Sequence, residues 1–287
     1  MKRIGMQMVK SIGYLGPFGT FSHEAAGLYA KGQSCTLLEF GSIQDVLYAV
    51  KDNKIIEAIV PIENSLEGAV NVTLDVLAKE EGLYIKGEII LPVSLNLVVR
   101  KGTLPEDITT IMSHPQPLGQ ARDFLNKYYP KVVQVEENST SQAAQRVSEG
   151  DGTYAAITSR TAAKINGLEV LAGDIQDVVN NHTRFVVISK EFPKRTGCDK
   201  TSIVFSTDNK PGSLYRILDI FSLWDINMTR IESRPSKNAL GQYIFFIDID
   251  GHIEDQDVFD ALTMIKRKTS FYRFIGSYPV YNGKNGE

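Results

Sequence analysis

The sequence is poor in the residues that carry metal and redox chemistry. It has two cysteines, four histidines and one tryptophan among 287 residues. Cys35 and Cys198 lie far apart and fit no metal spacing, so reduced thiols in a cytoplasmic protein are expected. His23, His114, His182 and His252 form no HxxxH or HExxH pair, and no metal is expected. No apolar run approaches the length of a membrane span. The basic stretch Met1–Lys10 is followed by no signal-peptide core, which again points to the cytosol. A net charge of −3 gives no reason to expect nucleic acid or an acidic membrane as partner. Neither a Walker loop nor a dinucleotide fingerprint is present.

What is there fits a soluble globular chain of more than one core. Hydrophobic residues make up 43% and charged residues 23%, both ordinary values, and the length suits two domains. Ser11–Leu15 reads as a strand that enters Gly16-Pro17-Phe18-Gly19-Thr20-Phe21-Ser22 and then a helix over His23–Ala30. Backbone N–H groups at such a helix start suit an anion. Thr36–Phe40 is a second strand, and Ser42-Ile43-Gln44-Asp45 a capped helix start. Ile55–Ile62 is nearly all apolar, as expected of a strand buried on both faces of a parallel sheet. Tyr84–Arg100 holds two extended runs split near Pro92. Strand and helix alternate again after Arg100, with strands at Ile108–Ser113, Lys131–Val135, Tyr154–Ile157 and Leu168–Leu171. This is α/β architecture with parallel sheet, in two lobes with a cleft between them.

Three polar places stand out. Glu63, Asn64 and Ser65 follow a strand end, where open α/β sheets bind ligands; a helix N-cap would also use Asn and Ser. Ser113 ends a strand and Gln120 lies about two helical turns further on. His114, at the same helix start, ranks below them because a lone histidine there is more often structural. Thr183-Arg184-Phe185 joins a polar turn to the apolar run Val186–Ser189, which a plain strand entry would also explain.

Residues 191–200 are charged and broken by Pro and Gly, and read as a linker. The remaining stretch changes rhythm. Strands at Thr201–Ser206, Ile226–Glu232, Gln242–Asp250 and Phe271–Val280 alternate with two helices in the order βαββαβ, a ferredoxin-like unit.

Taken together, and in this order along the chain, these motifs resemble the prephenate dehydratase family from about Ser11 to Val280. The tail, with Lys210-Pro211-Gly212-Ser213-Leu214 and Ile231-Glu232-Ser233-Arg234-Pro235, resembles an ACT domain. The resemblance departs at Ser213, where the family most often has alanine. It implies a two-lobed, periplasmic-binding-protein-like catalytic domain over 10–190, a linker at 191–200 and an ACT regulatory domain over 201–280. It implies conversion of prephenate to phenylpyruvate with loss of water and carbon dioxide, no cofactor, and feedback inhibition by L-phenylalanine in a homodimer or homotetramer. The residues implied for catalysis are Thr183, Asn64, Ser113, Gln120 and Glu63, with Thr183 serving the leaving hydroxyl. Those implied for substrate binding are Thr20, Phe21, Ser22, Ser65, Arg184 and Phe185. For the effector they are Pro211, Gly212, Ser213 and Leu214, with Asn227 and Glu232-Ser233-Arg234-Pro235 facing it from a partner chain. The alternatives are arogenate as substrate, or a two-lobed amino-acid sensor without chemistry.

Overall fold

The computed structural model describes residues 10–236 and 243–283. The basic stretch at residues 1–9 and the expected strand start at Gln242 lie outside them. The first lobe opens with β1 (Lys10–Leu15), α1 (Phe21–Ala30), β2 (Cys35–Phe40), α2 (Ile43–Lys51), β3 (Glu57–Asn64), β4 (Gly68–Ala69), α3 (Asn71–Lys79) and β5 (Tyr84–Pro92). The chain then crosses to the second lobe. There it forms β6 (Asn96–Val99), β7 (Thr110–Ser113), α4 (Pro115–Gln120), α5 (Arg122–Tyr128) and β8 (Val133–Glu136), followed by α6 (Thr140–Glu149), β9 (Tyr154–Thr158), α7 (Arg160–Ile165) and β10 (Glu169–Ala172). It returns as β11 (His182–Ser189), inserted between β3 and β5 in the order β2-β1-β3-β11-β5.

The sheets are mixed, which corrects the expectation of parallel sheet. β1 runs parallel to β2 and β3, but β11 is antiparallel to both neighbours. In the second sheet, ordered β10-β6-β9-β7-β8, the pairs β10–β6 and β6–β9 are antiparallel. The reason is the double crossing: the strand that enters each lobe from the other, β6 and then β11, runs against its neighbours there. The apolar run of β3 is buried as expected, because elements cover both faces of its sheet. α3 was not anticipated from the sequence. Its N-cap is Val70 with no side-chain bond, so it lacks the usual start signal, and it forms because Thr73, Leu74, Val76 and Leu77 are buried.

The third sheet comprises β12 (Asp199–Ser206), β13 (Met228–Pro235), β14 (Tyr243–Asp250) and β15 (Phe271–Pro279), with α8 (Ser213–Leu223) and α9 (Gln256–Lys268) on one face. Its antiparallel order β13-β14-β12-β15 is the ferredoxin-like arrangement. The other face packs on the first lobe. Val204, Phe246, Ile275 and Tyr278 share one core with Ile85, Val186 and Ile188 and with α2 and α3. Burial of each such side chain contributes ~1.5–3 kcal/mol, so this sheet is docked by a core rather than merely tethered. Gly276 allows the approach. A Cβ there would stand 2.3 Å from the Ile85 carbonyl oxygen, and its φ is +135°.

The opposite face of the first sheet packs α1. Ile12, Tyr14, Ile59, Ile89, Phe185 and Val187 meet Ala25 and Ala26 there. Towards the strand ends this face opens into the space between the lobes.

Candidate active site

The cleft between the lobes encloses about 560 Å³. The first lobe supplies Thr20, Phe21 and Ser22 at the start of α1, Asn64 at the end of β3, Glu67 and Gly68 just after it, and Asn181, Thr183 and Phe185 around the start of β11. The second lobe supplies His114, Gln116 and Gln120 of α4 and its cap, and Asn138, Ser139 and Thr140 before and within α6. Among the described residues the lining contains no lysine or arginine and one carboxylate, Glu67. Positive potential therefore comes from helix starts: α1 and α6, from opposite lobes, each aim first-turn N–H groups at the cleft.

A chain of hydrogen bonds crosses this space, and one turn fixes its direction. Asn64 Oδ1 accepts the backbone N–H groups of Leu66 at 2.9 Å and Glu67 at 3.1 Å. A backbone N–H can only donate, so the other Asn64 atom is the amide nitrogen. Nδ2 donates to Thr183 Oγ1 at 2.9 Å and to Asn181 Oδ1 at 2.8 Å. Asn181 Nδ2 in turn donates to Gln120 Oε1 at 3.2 Å, and Gln120 Nε2 to Glu67 Oε1 at 3.4 Å. Two consequences follow. The Asn181–Gln120 bond spans the lobes. Thr183 already accepts from Asn64, which leaves its O–H free to donate into the cleft.

Thr20 acts through its helix. Its hydroxyl donates to the Leu15 carbonyl at 3.1 Å and accepts the His23 N–H at 3.3 Å, so it caps α1 and places Phe21 and Ser22. His114 lines the cleft after all and caps α4, taking the Gln116 N–H on Nδ1 at 3.5 Å. Phe185 is 1% exposed and forms an apolar wall.

Four expected residues lie elsewhere. Ser113 is fully buried, and its hydroxyl donates to the Ile157 carbonyl at 2.7 Å across the second sheet. Ser65 donates to the Asn180 carbonyl at 3.0 Å and accepts the His182 N–H at 2.9 Å, stapling the turn after β3 to the start of β11. It starts no helix, and neither does Asn64. Arg184 points away from the cleft, because successive strand residues face opposite sides. Its Nε meets Glu88 at 2.7 Å, Nη1 meets Asp248 at 2.6 Å and Nη2 meets the Tyr278 hydroxyl at 2.8 Å. Burial disfavours its charge, but Tyr278, Asp248 and Glu88 outweigh that and hold its pKa above the ordinary arginine value. Glu63 shares that side, 3.1 Å from Arg230 Nε and 3.9 Å from Arg184 Nη1.

Asn181, Glu67 and Thr140 were not singled out from the sequence. Thr140 opens α6 and Asn181 lies in the polar turn before β11, places that a helix start and a turn explain without a ligand.

In the third sheet Gly212 is left-handed, with φ of 76°, and opens α8 beside Pro211, Ser213 and Leu214. Pro235 reaches the same sheet end, where it lines a cavity with Asn209 and Lys210. Glu232 and Ser233 lie on β13, the sheet's edge strand. Arg234 faces α3 instead, 3.3 Å from Asp75. Asn227 lies at the opposite end, donating to Asp250 at 2.8 Å.

The sequence pattern of the prephenate dehydratase family matches residues 12–193, and that of the ACT domain residues 201–263. A bifunctional chorismate mutase/prephenate dehydratase of Aquifex aeolicus is 41% identical over 93% of this chain and 73% of its own length. A prephenate dehydratase of Mycolicibacterium vanbaalenii is 39% identical over 94% of this chain and 91% of its own. The crystal structure of a prephenate dehydratase from Arthrobacter aurescens in complex with L-Phe superposes with a TM-score of 0.85. It is 38% identical, over 94% of this chain and 89% of its own. Among the described residues no helix is long and apolar enough to cross a membrane.

Proposed function

The chain belongs to the prephenate dehydratase family and carries an ACT domain, and from that premise we propose that the inter-lobe cleft performs the reaction with Thr183 as donor to the departing hydroxyl. The enzyme is a carbon–oxygen lyase. Prephenate loses its ring carboxylate as carbon dioxide. The electron pair of that C–C bond enters the ring, and the C–O bond to the ring hydroxyl breaks. One proton joins the leaving oxygen to form water, and phenylpyruvate remains. Aromatisation drives the step, and no electron sink beyond the ring is required.

A free hydroxide leaves badly, so the enzyme must put a donor at that oxygen in the transition state. The observation that carries the reading is the Asn64-to-Thr183 bond of 2.9 Å, in which the threonine oxygen accepts and so keeps its own proton for another partner. A threonine is a poor acid, so it acts in concert with C–O cleavage, through a hydrogen bond that strengthens as charge develops on the oxygen. The two carboxylates of prephenate would be met by neutral donors: the first turns of α1 and α6, and the amide of Gln120. The apolar wall of Phe21 and Phe185 favours loss of carbon dioxide by keeping a carboxylate set against it poorly hydrated.

The ACT domain, over 201–280 after a linker at 191–200, would take L-phenylalanine. β13 is a free sheet edge with Ile231 43% exposed. Pairing two copies of β13 about a two-fold axis would bring Asn227 of one chain beside Gly212 and Pro235 of the other. A homodimer or a homotetramer built from it, working in the cytoplasm, is the assembly this implies. The chemistry is tested by side-by-side kinetics on the two substrates, prephenate followed by the ultraviolet absorbance of phenylpyruvate and arogenate, which keeps its amine, by the L-phenylalanine formed. Turnover of prephenate with kcat/KM at least ~10-fold above that of arogenate supports the reading, and the reverse order overturns it.

A further inference from the structure

Glu63 and Arg184 remain outside the reaction so far, although each neighbours a residue of the cleft. In the β3–β11 pair Asn64 stands opposite Thr183 and Glu63 opposite Arg184. The first pair faces the cleft, and the second faces the ACT sheet. Arg184 is held on three sides, by Glu88 of β5, Asp248 of β14 and Tyr278 of β15. Glu88 is tied in turn to Lys200 at 3.0 Å and to the Tyr281 N–H at 3.1 Å. Glu63 takes Arg230 of β13 at 3.1 Å.

We infer that Arg184 and Glu63 are positioning residues that set Thr183 and Asn64 from behind, and that Asp248 and Arg230 give the ACT domain its hold on the reaction. The inference rests on the reading of Thr183 as the donor. A planar guanidinium held by three partners has one orientation. It fixes the backbone of residue 184 and with it the direction in which the Thr183 side chain leaves the strand. A displacement of a few tenths of an ångström at that hydroxyl weakens a hydrogen bond that matters in the transition state. The link to regulation is short. Arg230 lies on the same strand as the effector segment Glu232-Ser233-Arg234-Pro235, two residues before it. Any shift of β13 that L-phenylalanine favours therefore reaches Glu63 directly. An effector needs such a differential contact to bias one state.

The test uses the full chain. Glu63→Gln alters a residue whose side chain is 39% exposed, so the variant is expected to fold. The double variant Arg184→Met/Asp248→Leu removes both charges of a buried pair and leaves neither unpaired. A role limited to stability would lower the melting temperature and leave turnover of the folded enzyme unchanged. Positioning predicts a fall in kcat of about tenfold or more with KM within about twofold, in both variants. Folded variants with kcat within about twofold of the parent overturn the inference, and Glu63→Gln decides alone if the double variant does not fold. For regulation, Arg230→Met should still bind L-phenylalanine by titration calorimetry, while inhibition at saturation falls about fivefold or more. Undiminished inhibition, or loss of binding itself, overturns that half. Failure of the underlying reading shows separately, as full activity of a Thr183 variant or a parent enzyme that L-phenylalanine does not inhibit.

Discussion

Replacing Asn64 by aspartate is a one-atom test of the cleft. The retained oxygen still accepts the Leu66 and Glu67 N–H groups at 2.9 and 3.1 Å, so the turn after β3 keeps its anchors. The new oxygen, where Nδ2 stood, can only accept while ionised. It faces Thr183 Oγ1 at 2.9 Å, Asn181 Oδ1 at 2.8 Å and the His182 carbonyl at 3.2 Å. Thr183 then turns its proton onto the carboxylate, and the substrate loses its donor, a change of ~3 kcal/mol. The added charge also repels a dianion. At ~6 Å and an effective dielectric of ~20 that costs about 3 kcal/mol per substrate charge, shared between binding and turnover. The expected result in Asn64→Asp is a fall in kcat/KM of ~10³ or more at pH 8. The Asn181 and His182 carbonyl oxygens push the pKa of the new carboxyl up, while the Leu66 and Glu67 N–H groups and the Thr183 hydroxyl pull it down. Its protonated form is again a donor, so activity should recover partly as the pH is lowered towards that pKa. A kcat/KM within about fivefold of the parent at pH 8, with no gain at lower pH, refutes the hydrogen-bond chain as described.

Other predictions follow from the docking of the ACT sheet. Gly276→Ala places a Cβ 2.3 Å from the Ile85 carbonyl oxygen, a backbone atom that no rotamer change can move. Differential scanning fluorimetry should show a loss of stability of ~2–4 kcal/mol; an unchanged melting curve would mean that β15 does not approach β5 so closely. The buried carboxylates predict acid sensitivity. Burial pushes Asp248 up, but Arg184, Arg230 and the Ser202 hydroxyl outweigh it and hold its pKa below the usual range. Glu57 is likewise pushed up by burial and drawn below its usual value by Lys10 and Lys86. The unfolded chain therefore binds more protons than the folded one in acid. Their contribution is complete above the unfolded values of ~4 and is lost as pH falls through the lower folded ones. Urea unfolding should show stability declining below pH ~5, and a flat profile from pH ~7 to ~3 would contradict the assignment.

Much of the site was legible in the residues because its motifs lie at strand ends and helix starts. Thr20, Phe21, Ser22, Asn64, Gln120, Thr183 and Phe185 all meet at the cleft. Strand alternation says that Thr183 and Arg184 cannot face the same way, but not which of them faces inwards. The resemblance places Arg184 among the substrate-binding residues, whereas Glu88 and Asp248, 96 and 64 residues away, claim it. Ser113 looked available because it ends a strand, and a neighbouring strand's carbonyl takes its proton. Asn181 matters only through Asn64, 117 residues distant, and Gln120, 61 residues distant. Such contacts leave no mark on local pattern. The antiparallel crossings were hidden for a similar reason, since an apolar run reads alike in either direction.

The central claim is that the Thr183 hydroxyl serves the departing ring hydroxyl, and Thr183→Val tests it with the shape of the side chain almost unchanged. Steady-state kinetics on prephenate should show kcat lowered ~100-fold, roughly 3 kcal/mol, with KM within about threefold of the parent. A Thr183→Val enzyme that turns over at the parental rate would contradict the account.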